Sequence, residues 1–221
     1  MSTPSMAHPT RITVLISGSG SNLQALIDAS HPPPQPPRLQ NVEFVRVISD
    51  RKSAYGLQRA ENAGIPTAYQ GIIPYRKKHP DDEDAARKAY DTDLANLVLS
   101  DSPNVIICAG FMRILTPNFL NPVNEANIPI INLHPSLHGD LVGAHCIERA
   151  WEEFRQGKRL KTGIMIHYVI SEVDEGDPIV QREIDMEGCE TLEELQQRVH
   201  RAEHVLIVEG ARIVVEKGRR P

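Results

Sequence analysis

The sequence predicts an α/β fold: a single doubly wound, mostly parallel sheet with helices on both faces and an antiparallel edge. Strand-like and helix-like segments alternate through the first two-thirds of the chain, which is typical of a parallel sheet covered by helices. Two strand-like segments near the C-terminus are joined by a short connection, which favours an antiparallel pair at the sheet edge. The 221 residues contain no internal repeat or clear linker, so one domain is predicted.

The first half of the chain contains three predicted strands and two predicted helices. Residues 11–22 form a buried strand and a glycine-serine turn in this interpretation, and residues 23–30 form a helix with apolar side chains at helical spacing. Five prolines in residues 31–37 exclude a helix or a central strand, so we expect a surface loop there, with a Pro-rich recognition motif as a less favoured alternative. The remaining predicted elements are a strand at 42–49, a helix at 54–64 ending at Gly64, and a short strand at 65–70.

The second half contains longer helices. Residues 81–100 predict an amphipathic helix whose acidic first turn suits the helix dipole. Residues 191–218 predict one long helix, or two pieces broken near Gly210. Between these two segments lie strands at 103–111 and 128–134, a helix at 144–157, and strands at 161–170 and 177–184.

Composition excludes several classes of protein. The net charge is -5 without a long basic run, so nucleic acid is not an expected partner. Cys108, Cys146 and Cys189 show no CxxC spacing and are odd in number, which argues against a disulfide framework or a structural zinc site and fits a reducing compartment. No apolar run approaches 18 residues and the N-terminus lacks a signal-peptide core, so we expect a cytoplasmic protein without a membrane partner or a metal.

A glycine-serine turn, "SGSGSN" at residues 17–22, joins the first strand to the first helix. Gly18 and Gly20 permit positive φ and close backbone approach. The following helix N-terminus offers free N–H groups to an anion, and Ser21 and Asn22 add side-chain donors. The turn therefore predicts a phosphate site, with a purely structural tight turn as the alternative.

The same turn departs from a dinucleotide-binding fingerprint. Leu23 stands where the third glycine of that motif would be, and Asp50 lies farther along the chain than the ribose-binding acid, which follows after about 20 residues. A monophosphate is therefore favoured over a nicotinamide dinucleotide, and an oxidoreductase is disfavoured.

Polar side chains end the strand at 128–134. Asn132 and His134 are two residues apart, so they share one face of the strand. Ligands of doubly wound sheets bind at the carboxyl ends of strands, where Gly18, Gly110 and Arg113 are also expected. A histidine and an amide at this edge suit acyl transfer without a covalent intermediate, because the imidazolium supplies an acid and the amide stabilises an oxyanion.

A carboxylate is needed to support the charge of His134. The loop "ISEVDEGDP" offers Glu172, Asp174, Glu175 and Asp177. A solvated acidic loop and a satisfied structural histidine are the alternatives, and His167, within a strand, is predicted to be structural. A nucleophilic Ser136 or cysteine is a weaker hypothesis, because no G-x-S-x-G elbow is present.

Four segments carry a resemblance to a known family. "ITVLISGSGSNLQALIDA", "ICAGFMRIL", "INLHPSL" and "HYVISEVDEGDPIVQ", in this order and spacing, closely resemble phosphoribosylglycinamide formyltransferases, most of all fungal members. The resemblance implies a formyltransferase domain at 11–217 after a disordered stretch at 1–10. A Rossmann-like, phosphate-binding half would occupy 11–110, and a folate-binding and catalytic half 111–217.

The resemblance also implies a reaction. The amine of 5'-phosphoribosylglycinamide would attack the formyl carbon of the co-substrate 10-formyltetrahydrofolate, a step of purine biosynthesis, in a monomer or homodimer. Asn132 and His134 would stabilise the tetrahedral oxyanion, and Asp174 would support His134 and relay protons. The implied substrate-binding residues are Gly18, Ser19, Gly20, Ser21, Asn22, Gly110, Pro135 and Glu203. The implied folate-binding residues are Arg87, Met112, Arg113, Ile114, Leu115, Val169, Ile170 and Val173.

One stretch departs from the family pattern. Many members have "HPSLLP", whereas this chain has "HPSLHGDLVGAHC", with His138 and Gly139 in place of Leu-Pro. The shape of residues 136–145 therefore stays open, and His145 is held only as a candidate neighbour of the acid. Related formyl hydrolases and transfer-RNA formyltransferases carry an extra domain for which we expect no room. A non-catalytic nucleotide-binding module gives no reason for Asn132, His134 and Asp174 together.

Overall fold

A computed structural model describes residues 8–31 and 37–218. Its centre is a seven-stranded sheet with the strand order β3-β2-β1-β4-β5-β6-β7. The strands are β1 (Thr10–Ile16), β2 (Val42–Ser49), β3 (Thr67–Tyr69), β4 (Val105–Cys108), β5 (Ile130–His134), β6 (Lys161–Tyr168) and β7 (Pro178–Asp185). The helices are α1 (Ser21–Ser30), α2 (Tyr55–Asn62), α3 (Ile73–Lys78), α4 (Glu83–Ser100), α5 (Pro117–Glu125), α6 (Cys146–Arg155) and α7 (Leu192–Lys217).

The strand directions confirm the predicted fold class. Strands β1 to β5 are parallel, whereas β5–β6 and β6–β7 are antiparallel. The chain winds from β1 outward to β3 and then returns to β4 on the other side of β1. The carboxyl ends of β1 and β4 therefore flank the topological switch point, where doubly wound sheets bind their ligands.

Two apolar cores cover the two faces of the sheet. One core packs α1, α6 and α7 against the sheet and includes Leu26, Trp151 and Leu206. The other packs α4 and α5 against the opposite face and includes Leu94 and Phe119. This arrangement is why the central strands read as continuous apolar runs rather than alternating ones.

Helix α7 runs unbroken through Gly210, which decides between the two alternatives left by the sequence. A Cβ at residue 210 would lie 2.8 Å from side-chain atoms of Ile166. Glycine at this position therefore lets the helix approach β6 closely, and it does not end the helix. Thr191 and Glu194 begin α7 with a capping box.

Two helices, α3 and α5, were not predicted from the sequence. Helix α5 begins at Pro117 and contains Pro122, so its sequence resembles a loop. The prediction for the proline-rich stretch falls largely on residues 32–36, and the predicted disorder at 1–10 falls largely on residues 1–7; both lie outside the described residues. None of the helices within the described ranges is long and apolar enough to cross a bilayer.

Candidate active site

The glycine-serine turn lies at the switch point between β1 and β4. The backbone N–H of Ser17 donates to the carbonyl of Gly110 (3.0 Å), and the N–H of Met112 donates to the Ser17 hydroxyl (2.8 Å). These bonds join the segments that follow β1 and β4, so residues 17–22 and 109–112 form one surface.

The carbonyl groups of the turn face helix α2. Gly56 N–H donates to the Gly18 carbonyl (3.1 Å), and Arg59 Nε donates to the Ser19 carbonyl (2.8 Å). Gly20 has φ of 70°, and a Cβ there would lie 2.5 Å from Gly56 Cα. With its carbonyls bonded to α2, the turn leaves the first N–H groups of α1 for an anion.

A cavity of about 470 Å³ opens beside this turn, and we call it the turn cavity. All five residues predicted for phosphate binding line it. Three further side chains, not predicted from the sequence, also line it: Arg51, His200 and His204. Asp50, the residue that resembles a ribose-binding acid, does not line it. Arg51 follows directly after Asp50, but a single sequence holds no signal that its side chain reaches the turn.

A second cavity of about 550 Å³, the central cavity, holds Asn132, His134 and Asp174, the three residues predicted to be catalytic. It shares Asn22, Gly110, Met112, His200 and Glu203 with the turn cavity, so the two spaces are adjacent. Pro135 also lines the central cavity. The structure thus brings the predicted phosphate turn and the predicted catalytic residues to one continuous surface.

His134 is 4% exposed and has a partner for each ring nitrogen. Nε2 donates to the Leu141 carbonyl (2.7 Å), and Nδ1 faces Asp174 Oδ2 at 3.3 Å. The contact between Nδ1 and Asp174 lies within ion-pair distance, so it is attractive when the imidazole is protonated and the carboxyl is ionised. The geometry therefore suits a charged imidazolium beside a carboxylate.

Asp174 provides that carboxylate from the loop between β6 and β7. Burial would raise the pKa of Asp174, but the neighbouring His167 ring, the Gly143 N–H and the charge of His134 lower it, so the net pKa lies below its ordinary value. The Gly143 N–H donates to Oδ2 (2.9 Å). Asp174 has φ of 59°, a left-handed conformation that aspartate tolerates better than most residues.

His167, predicted from the sequence to be structural, also lies in the site. Its Nδ1–H donates to the Tyr168 carbonyl (2.9 Å), and Nε2 lies 3.2 Å from Asn132 Nδ2 and 3.6 Å from Asp174 Oδ1. It is buried and fully bonded, as predicted, but it orients the Asn132 amide and lines the central cavity. The antiparallel register of β5 and β6 pairs the two residues, and that register is not encoded in local sequence.

Glu203 is 6% exposed on α7, at the shared wall of the two cavities. Burial raises its pKa, and this effect outweighs the lowering by the His200 charge and by the hydrogen bond from Asn22 Nδ2 (3.4 Å). A glutamate on a helix is ordinarily exposed to solvent. The structure instead supplies a buried carboxyl that faces the predicted substrate space.

Seven of the eight residues predicted to bind folate line the central cavity: Met112, Arg113, Ile114, Leu115, Val169, Ile170 and Val173. Three of them are exposed apolar side chains, namely Met112 at 65%, Ile114 at 56% and Ile170 at 43%. Such a rim suits a flat aromatic ligand. Arg87 does not line either cavity, whereas Arg113 lies 4.6 Å over the Tyr90 ring.

Comparison with known proteins identifies the family. A family model for formyl transferases matches residues 10–210. The phosphoribosylglycinamide formyltransferase of Schizosaccharomyces pombe is 44% identical over 209 residues, which cover 92% of this chain and 96% of that protein. The corresponding Saccharomyces cerevisiae protein is 47% identical, with 94% and 98% covered. The chain belongs to the phosphoribosylglycinamide formyltransferase family.

The solved structures agree with this assignment. Glycinamide ribonucleotide transformylase 1 of Symbiobacterium toebii has a TM-score of 0.82 at 30% identity, and the match covers 98% of this chain and 92% of that one. The comparisons confirm both the predicted resemblance and the formyltransferase fold. The chain is accordingly a formyltransferase.

Within this formyltransferase, the alternative nucleophiles are poorly activated, although Cys108 and Cys146 line the central cavity and Cys146 Sγ lies 3.6 Å from His134 Nε2. Burial raises the pKa of Cys108 to about 12. For Cys146, burial is likewise the largest cause and raises the pKa to about 11. Ser136 is fully buried, and its hydroxyl accepts from the Leu141 N–H (3.0 Å). A neutral thiol or a buried, bonded hydroxyl is a weak nucleophile. All three cysteines are free thiols that form no disulfide.

The unusual loop after His134 closes one side of the central cavity. Gly143 and His145 line the cavity, and His145 has φ of 59° at the start of α6. Over the ranges that the structure describes, no group of three or more histidine, cysteine, aspartate or glutamate side chains is arranged to hold a metal ion.

Proposed function

We propose that this formyltransferase transfers the formyl group of 10-formyltetrahydrofolate to the amine of 5'-phosphoribosylglycinamide, in de novo purine (IMP) biosynthesis. One observation carries the proposal. The anion-binding turn and the Asn132, His134 and Asp174 cluster line adjacent cavities that share a wall containing Glu203. A phosphorylated amine in the turn cavity would thus reach a formyl donor in the central cavity.

The proposed phosphate site combines backbone and side-chain donors. The free N–H groups at the start of α1 receive the phosphate, and Ser21 and Asn22 add donors. Among the described residues lining the turn cavity, Arg51 is the one arginine, and its guanidinium offers a positive charge to a phosphate dianion. Phosphate binding at this end directs the amine toward Glu203.

Glu203 positions the amine in this mechanism. A buried carboxyl with a raised pKa is a good hydrogen-bond acceptor for an amine. The amine nitrogen forms a bond to the formyl carbon, and the carbonyl oxygen becomes an oxyanion. The Asn132 Nδ2 atom has two protons, of which His167 takes one, so the second can bind the oxyanion.

His134 and Asp174 complete the reaction. The protonated His134 ring, 3.3 Å from Asp174, stabilises the oxyanion through its charge. The bond between the formyl carbon and the folate nitrogen then breaks. The proton lost by the amine moves to that nitrogen, with Asp174 as the relay, directly or through a water. Bonds and protons balance without an external oxidant or metal.

The lining of the central cavity supports the proposed folate co-substrate. Exposed Met112, Ile114 and Ile170 offer an apolar surface to its rings. Arg113 offers a guanidinium, which pairs well with a glutamate carboxylate. Arg87 contributes in this proposal only after its side chain moves, because it does not line the cavity.

A direct assay tests the function. The purified chain is supplied with phosphoribosylglycinamide and 10-formyltetrahydrofolate, and tetrahydrofolate release is followed by absorbance. We expect release that depends on the glycinamide and a product heavier by one formyl group. Release without the glycinamide would indicate a formyl hydrolase instead. No release with both substrates would contradict the proposal.

A substrate analogue tests the assignment of the turn cavity. Ribosylglycinamide without its phosphate should react with a kcat/KM lower by at least about 100-fold, because charge-assisted hydrogen bonds of about 1.5–3 kcal/mol each are lost. Equal kcat/KM values for the two amines would contradict a phosphate site at residues 17–22.

A further inference from the structure

The loop that departs from the family pattern holds His134 in place. The Leu141 carbonyl accepts from His134 Nε2 (2.7 Å), and the Leu141 N–H donates to the Ser136 hydroxyl (3.0 Å). Because Nε2 is occupied by Leu141, Nδ1 is the nitrogen that faces Asp174. The backbone position of Leu141 therefore sets both the ring orientation and the nitrogen that faces the carboxylate.

An ion pair fixes the residue before Leu141. Asp140 accepts two hydrogen bonds from Arg159, Nη1 to Oδ2 and Nη2 to Oδ1, each 2.7 Å. The Arg159 Nε atom donates to Glu153 on α6 (2.8 Å), and Nη1 also donates to the Lys161 carbonyl at the start of β6 (3.3 Å). Arg159 thereby ties the loop to a helix and to a strand of the sheet.

The charges of this pair are well stabilised. A hydrogen bond from Arg159 is the largest cause that lowers the pKa of Asp140, and the hydrogen bond to Asp140 is the largest cause that raises the pKa of Arg159. Neither side chain lines the central cavity or the turn cavity. The pair therefore has no route to the substrates except through the loop.

We propose that Asp140 and Arg159 are positioning residues for His134, acting through the Leu141 carbonyl. The proposal rests on the proposed formyl transfer, in which His134 stabilises the oxyanion. Loss of the pair lets the 137–143 segment move, the Leu141 carbonyl leaves Nε2, and the imidazole loses its fixed orientation. Gly143 lines the central cavity, but none of the residues assigned to substrate or folate binding lies in this segment, so we expect KM to change less than kcat.

The fold contains a matched control. Arg46 and Asp101 form a second bidentate pair, Nε to Oδ2 at 2.5 Å and Nη2 to Oδ1 at 2.7 Å. The arginine and carboxylate side chains are 26% and 15% exposed there, against 15% and 26% in the Arg159–Asp140 pair. Asp101 caps the C-terminal end of α4, which leads into the start of β4 at the amino edge of the sheet, opposite the site.

The experiment compares Asp140→Asn with Asp101→Asn by steady-state kinetics and thermal unfolding. We expect both variants to lose comparable thermal stability. Asp140→Asn should lower kcat by about 10- to 100-fold, the scale on which misplacement of a catalytic group by about 1 Å acts, with both KM values within about threefold of wild type. Asp101→Asn should keep kcat within about twofold.

A second set of variants tests the pairing itself. Arg159→Gln and the double variant with Asp140→Asn should both show the kcat of Asp140→Asn, because the two residues act as a unit. Arg159→Lys retains the charge but not the two-point geometry, so it should recover part of the lost kcat. If Asp140→Asn does not fold, Arg159→Lys tests the same ion pair.

Three kinetic outcomes would overturn the proposal. One is a kcat for Asp140→Asn equal to that of Asp101→Asn, which would make the pair merely structural. Another is a loss confined to KM, which would indicate a substrate contact. The third is additive kcat losses in the double variant, which would separate the two residues.

A readout without turnover separates this proposal from the proposed function. The His134 ring proton on Nε2 should give a slowly exchanging NMR signal, assigned by its absence in His134→Gln. We expect the signal in wild type and in Asp101→Asn, and its loss by exchange in Asp140→Asn. A signal that persists in Asp140→Asn would overturn the positioning role, even if the assay found no formyl transfer. If the wild type were inactive but all three proteins gave the expected signals, only the proposed function would be rejected.

Discussion

Replacement of Asp174 by asparagine removes one negative charge and little else. Asparagine adopts left-handed backbone conformations, so φ of 59° at this position is retained without new strain. The amide oxygen can still accept from the Gly143 N–H, which now bonds Asp174 Oδ2 at 2.9 Å. We therefore expect Asp174→Asn to fold normally, whereas alanine would add backbone strain.

The expected loss of activity follows from the geometry of the pair. Asp174 Oδ2 lies 3.3 Å from His134 Nδ1, and the two side chains are 10% and 5% exposed, so solvent screens them little. At about 4 Å between charge centres and an effective dielectric constant near 20, a unit pair is worth about 4 kcal/mol. At about 1.4 kcal/mol per tenfold, this sets an upper limit of roughly 1,000-fold. The amide retains part of the hydrogen bonding, so kcat should fall by roughly 100- to 1,000-fold.

Steady-state release of tetrahydrofolate measures this loss, with both KM values and the unfolding midpoint recorded in parallel. Glu175→Gln is the matched control, because it removes an exposed acid from the same loop. We expect kcat of the control within about twofold of wild type. A kcat of Asp174→Asn within about threefold of wild type, at unchanged stability, would refute the assigned role of the carboxylate.

Four further perturbations test other parts of the site. Gly18→Val should keep the unfolding midpoint but raise KM for phosphoribosylglycinamide, because a Cβ at residue 18 meets no atom within 4 Å and enters the turn cavity. Gly20→Ala should lower the melting temperature by roughly 2–4 °C per kcal/mol lost, since φ is 70° and Gly56 Cα lies 2.5 Å from the new Cβ. Glu203→Gln should raise thermal stability at neutral pH and lower kcat/KM. Burial raises the pKa of Glu203, so the ionised carboxylate destabilises the folded chain above that pKa, and glutamine removes the charge that causes this loss. Arg51→Gln should raise KM for the phosphorylated amine by roughly tenfold, with a weaker salt dependence than wild type. The phosphate-site assignments would be contradicted by an unchanged KM for Gly18→Val or Arg51→Gln. The packing arguments would be contradicted by a melting temperature that rises for Gly20→Ala or falls for Glu203→Gln.

The pH dependence of stability has a defined sign at Asp174. The pKa of this carboxyl is lower in the folded chain than in the unfolded one, where it is about 3.9. Its stabilising contribution is therefore complete above the unfolded value and is lost as the pH falls through the folded value. Wild type should lose stability relative to Asp174→Asn in acid, measured as the difference between their unfolding free energies across pH 2–6.

Much of the fold was accessible from local patterns in the sequence. Apolar runs marked the strands, and the glycine-serine turn marked the step from β1 to α1. Helices α3 and α5 were missed for physical reasons: α3 has only six residues, and α5 contains Pro122. Gly210 was ambiguous because a helical glycine either ends a helix or allows close packing, and only the position of Ile166 shows which.

By itself, the sequence determined the sheet class, the edge at which the site would lie, and the residue types available for chemistry, because strand periodicity and strand ends are local properties. It also carried the family motifs that singled out Asp174 among four acids. The tertiary structure decided which distant side chains meet. Strand register set His167 beside Asn132, and packing of α7 buried Glu203 at the cavity wall. An ion pair joins Asp140 to Arg159, next to the Leu141 carbonyl that accepts from His134. Each of these contacts joins segments separated along the chain, so their energies depend on the folded arrangement and leave no local pattern in the sequence.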